Sequence, residues 1–157
     1  MPVDDWAPKI KTNMQAVHDA AKAADEIQKK GEVYSYDEWP AQLAYFPATL
    51  IGTLGGTQDY SLGGPQIAIH NIILRVYFSQ GLSLSQAQKM AWPFVERVRN
   101  QFAQDMTLDG TCVRILPVTP PALFYDGPNV LGYAGKEYAG LIFNYSLKDS
   151  ETFTVQL

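Results

Sequence analysis

The chain has 157 residues, 46% of them hydrophobic and 18% charged. That length suits one domain around a single modest core. Sixteen Asp and Glu against twelve Lys and Arg leave a net charge of −4, which argues against the strong basic field that non-specific nucleic-acid binding needs.

The one cysteine, Cys112, cannot close an internal disulfide and fits a reducing compartment. The first residues are polar, with no apolar run of signal-peptide type. The longest apolar run, residues 67–78, is interrupted by His70, Asn71 and Arg75. It is shorter than the roughly 20 residues a membrane helix requires. The expectation is a soluble, cytosolic protein.

In chain order, residues 4–30 read as one amphipathic helix. Ile10, Met14, Val17, Ala21, Ala24 and Ile27 recur at three- and four-residue steps. Asp4 and Asp5 suit its start, Lys29 and Lys30 its end, and Gly31 its C′ position. Residues 31–47, punctuated by Pro40 and Pro47, show no period. A short strand is expected at 48–53. The sequence "GTLGGTQDYSLGG" then reads as a hairpin arm or a mobile loop.

Residues 66–78 are β-branched and aromatic, a strand apolar on both faces. Residues 81–104 read as a second helix, capped by Ser83 or Ser85, with Leu84, Ala87, Ala91, Phe94 or Val95, Val98 and Phe102 as its stripe. Pro93 inside it predicts a bend near 89–92, or a new helix starting there. An Asp109-Gly110 turn leads to a strand at 111–118, a long Pro/Gly loop to about 137, and a closing strand "YAGLIFNYSL". Residues 149–157 read as a tail. The whole predicts an α+β domain over 1–157, with an antiparallel or mixed sheet of four to five strands and both helices on one face. The second face is left needing cover.

Little of this carries chemistry. The glycines at 52, 55, 56, 63 and 64 lack dinucleotide or P-loop spacing and lead into a strand, not a helix. Cys112, His18 and His70 form no local nucleophile–base signature. Cys112 reads as a small core residue, His18 as a partly exposed helix histidine and His70 as a hydrogen-bonded strand histidine. Asp37 and Glu38 are adjacent, so an extended chain aims them apart. The Asn144-Tyr145-Ser146 sequon falls within a predicted buried strand and is set aside. No catalytic, cofactor or metal residue is assigned.

Charge placement is more telling. From Gly31 to Leu74 there is no Lys or Arg, only Glu32, Asp37, Glu38 and Asp59; from Ile115 to Gly135 the only charge is Asp126. Interface cores are depleted of charge in this way. Aromatics crowd both stretches, and the arginines at 75, 97, 99 and 114 are of the type that interfaces favour.

The succession of an N-terminal helix ending at Lys30-Gly31, "YFPATLIG", a Gly-rich arm, "IHNIILRVYF", "SLSQAQKMAWPFVERVRNQF", an "LDGT" turn and "YAGLIFNYSL" resembles the tail terminator (tail-completion or neck) proteins of long-tailed bacteriophages. The resemblance is one of order and texture over roughly residues 5–148; the aromatic insert before Ala48 and the Pro-rich loop depart from it. It implies a non-enzymatic virion protein without cofactor, assembled in the host cytoplasm. It further implies a hexameric ring that caps the head-proximal end of the tail tube and meets the head-completion or connector protein. Neither membrane nor specific nucleic-acid binding is expected, although DNA passes through such a ring. Interface candidates are Tyr45, Phe46, Leu54, Tyr60, Phe124, Tyr125 and Tyr133, with Arg75, Arg97 and Arg99. The alternatives are another neck, connector or head-completion subunit, or a small-molecule-binding domain or enzyme.

Overall fold

A computed structural model describes residues 3–59, 66–80, 83–118 and 123–151. The elements run α1 (Val3–Ala23), β1 (Glu32–Tyr34), β2 (Ala48–Asp59), β3 (Gln66–Ser79), α2 (Leu84–Ala103), β4 (Arg114–Pro117), β5 (Tyr125–Tyr133) and β6 (Lys136–Glu151). The fold is α+β, with six described strands in a mixed sheet ordered β1-β2-β3-β6-β4. Only β1–β2 is parallel. On the free side of β6, β5 pairs with Lys136–Phe143 and β4 with Tyr145–Lys148, end to end.

Helix α1 stops at Ala23 rather than at residue 30. Asp25 adopts φ 60°; its N–H donates to Lys22 C=O and the Glu26 N–H to Ala21 C=O. This is a Schellman cap with aspartate in the left-handed position that glycine usually takes. Gly31, expected to end the helix, serves a different contact. A Cβ there would lie 1.8 Å from the Pro47 carbonyl oxygen. Only glycine lets the Glu32 N–H reach that carbonyl, at 3.2 Å, where the parallel β1–β2 pairing begins.

Helix α2 starts where expected, with Ser83 Oγ accepting from the Gln86 N–H, and runs unbroken through Pro93, so no separate helix begins there. The 111–118 strand shortens to Arg114–Pro117 because turns occupy 106–113. The described part of the Gly-rich stretch forms the hairpin arm, and one expected loop contains a strand. β2 extends to Asp59, zipped antiparallel to β3 with a register shift at Thr53/Gly55. The Pro/Gly stretch contains β5, folded back on β6 by Ala134 (φ 51°) and Gly135 (φ 79°). Two successive positive-φ residues make the tight turn whose twist matches a hairpin. β6 runs on to Glu151, into the expected tail.

Both helices cover one sheet face. Trp6, Ile10, Met14 and Val17 of α1 and Phe94, Val98 and Phe102 of α2 bury Ile72, Leu74 and Val76 of β3 and Leu141, Phe143 and Leu147 of β6. Each such side chain contributes about 1.5–3 kcal/mol by leaving water. The opposite face has cover that the sequence did not reveal. Segment 35–47 crosses it, and a second cluster of Leu43, Ala48, Leu50, Tyr77 and Tyr138 forms there with Phe46, Leu131 and Tyr133 packed against it. Trp39 lies on Gly52, where a Cβ would meet the indole at 3.1 Å, and its Nε1–H donates to Ile51 C=O at 3.0 Å.

Candidate functional site

The groups best suited to chemistry are engaged in structure. His18 is fully buried, not partly exposed. Its Nδ1 lies 3.0 Å from the Lys30 carbonyl and its Nε2 2.7 Å from Thr49 Oγ1. A carbonyl only accepts, so Nδ1 carries the proton and Nε2 accepts from the Thr49 hydroxyl. Burial pulls the pKa down from 6.5 to about 4, against smaller raising effects of the Lys30 carbonyl and Asp19. Burial likewise pushes the Cys112 thiol up to about 11, which leaves it protonated and a poor nucleophile. Glu38 accepts from Lys11 Nζ at 2.7 Å, and that bond holds its carboxyl below the usual range. His70 is half-buried with its ring 5.8 Å from that of Trp6. Among the described residues no three His, Cys, Asp or Glu side chains gather as a metal site. A groove of about 440 Å³ between α2 and residues 44–47, floored by Phe46, Phe78 and Met90, contains no carboxylate, histidine or cysteine in its lining.

The interface candidates do not form one patch. Tyr45 and Leu54 are exposed, at 56% and 62%. Phe46 packs on Tyr138 with ring centroids 5.6 Å apart. Tyr133 packs near Tyr77 and Trp39, and its hydroxyl donates to the Pro40 carbonyl. Phe124 rests on Phe143 and Tyr145 of its own core, and half-buried Tyr125 lies beside exposed Trp92. Tyr60 lies outside the described residues.

The arginines differ too. Arg97 forks onto Glu26 at 2.6 and 3.0 Å. That bidentate pair ties α2 to the turn after α1, so Arg97 has its acid within its own chain. Arg99 reaches Glu96 at 3.3 Å on the exposed side of α2. Arg75 projects from mid-sheet on the second face near Tyr77, with its Nε buried and unpartnered among the described residues.

What the described residues leave uncovered is the far half of the sheet. β1 pairs only with Ala48–Leu50, so β2 presents an edge unpaired by any described strand from Gly52 to Asp59. Across the same half, on the face away from the helices, lie Ile69 (37% exposed) and Leu116 (36%). With Arg114, Lys148, Asn71 and Ser146 they border a shallow depression of about 340 Å³. The sequence signalled only part of this. Missing bases marked β2, but the meeting of Leu116 with Ile69, and of Arg114 with Lys148, depends on strand register. No protein-family model and no curated protein matches this chain.

Proposed function

We propose that the chain is a structural virion protein. Copies of it form a hexameric ring at the head-proximal end of a phage tail tube and join the tube to the head-completion or connector protein. The observation that carries this reading is the far half of the sheet: a β2 edge without Lys or Arg, unpaired by any described strand, with Leu54 exposed on it and Ile69 and Leu116 exposed across the same half. Apart from Asp59 at its end, this edge carries no charge; such open edges pair readily with other chains, and monomeric proteins usually blunt them with charge or proline. The bulge at Thr53/Gly55 bends this edge but adds neither. Engagement of His18, Cys112 and Glu38 within the fold is consistent with a role in assembly.

Phage particles assembled without this protein test the reading. Over-long tails without heads are the expected result. Tails of normal length that fail to join heads would reassign the protein as a head-completion subunit. Normal tails joined to heads would overturn both.

A further inference from the structure

The register of β4 on β6 places Arg114 directly opposite Lys148. Like charges at opposed positions repel and weaken a strand pair. Both side chains are exposed, and neither has a carboxylate in ion-pair reach among the described residues. Around them lie Leu116, Ile69 and, beside Arg114 in sequence, the 48%-exposed Val113. This is a cationic, partly apolar patch, bordered by Asn71 and Ser146, whose repulsion acceptors from a second chain would relieve. The β4 edge does not itself invite a strand. The Ile115 N–H is already bonded to the Met106 carbonyl at 2.7 Å, and Pro117 has no N–H to offer.

The other border of the same half-sheet carries no positive charge. β2 and β4 flank β3 and β6 there, about 14 Å apart at the usual strand spacing. From Gly52 to Asp59, β2 offers N–H and C=O groups unpaired by any described strand, the exposed Leu54 and Thr57, one acid (Asp59) and no base. Arginine and lysine donate; free strand carbonyls accept.

We infer that the Arg114–Lys148 patch of one copy receives the β2 edge, around Leu54 and Thr57, of a second copy. The two surfaces are unlike and border one sheet on opposite sides. The contact is therefore head-to-tail, and repetition closes a ring or extends a filament. The inference rests on the ring proposed above and names the surfaces that build it.

Sedimentation velocity across micromolar to submillimolar concentration reads the contact directly. The wild-type chain should self-associate. Arg114→Glu with Lys148→Glu, and separately Leu54→Lys with Thr57→Lys, should each weaken association at least about tenfold, because like charges or free acids then face each other or the strand carbonyls. All four positions are exposed, and circular dichroism checks that each variant is folded. Combining all four changes in one chain sets glutamates against lysines and should restore association. A monomeric wild type, a double variant that associates as tightly as wild type, or a folded quadruple variant that stays monomeric would each overturn the inference. Tail length in assembled particles reads the ring's function instead, so either idea can fail without the other.

Discussion

His18 joins three segments to its own helix, since its ring bonds the Lys30 carbonyl and the Thr49 hydroxyl and meets Phe94 edge-on at 5.5 Å. It therefore links α1, the turn after it, β2 and α2. In the unfolded chain the imidazole takes up a proton as pH falls through 6.5; in the folded chain it does so only near 4. Between those values the unfolded state binds more protons, so this residue's contribution is complete above the window and is lost as pH falls through it. The loss amounts to about 3 kcal/mol by pH 4. Urea unfolding of wild type and His18→Gln at several pH values checks this. The wild type is expected to be the more stable at neutral pH, with the gap narrowing below about pH 6. A gap that stays constant from neutral pH to pH 4 would show that burial does not hold the ring neutral.

Among the elements, the β5–β6 hairpin most changes the sheet from its expected form. Its strand was hidden in "FYDGPNVLGY" by Gly127, Pro128 and Gly132, residues that ordinarily end strands. The structure accommodates the first two in a register shift between Asp126 and Asn129. The turn places Ala134 at φ 51°, a conformation that costs an alanine about 1 kcal/mol. Asparagine tolerates it, and Asn-Gly is the preferred pair for this turn. Ala134→Asn is expected to stabilise the protein by about 0.5–1 kcal/mol, seen as a higher denaturant midpoint with an unchanged slope. Ala134 is exposed, so a destabilising result would mean that the turn does not hold this geometry.

At the scale of the whole molecule, the sheet is unequally covered. Helices bury one face, segment 35–47 covers the near half of the other, and in the far half no described strand pairs the β2 edge. If another chain closes that edge, outward-pointing amides between Gly52 and Asp59 should exchange hydrogen at least about tenfold more slowly in the assembled particle than in the free protein. The amides of β2 that already bond β3 should change little. Equal exchange in both states would mean that this edge remains open after assembly.

The two helices, the β3 and β6 strands and the α+β class were legible in the sequence, because periods of 3.6 and 2 are written locally by which residues are apolar. So was the depletion of bases along β2. The end of α1 was not legible, because Asp25 takes a left-handed conformation that most residues avoid, while Gly31 is needed for its approach to Pro47. Nor was the cover of the second face: Trp39 on Gly52 and Tyr133 on Pro40 join residues far apart in the chain without any local period. The burial of His18 and the opposition of Arg114 to Lys148 likewise came from tertiary placement. A sequence states what each side chain can donate, accept or bury, but strand register and packing decide which of those capacities meet within the fold and which face outward.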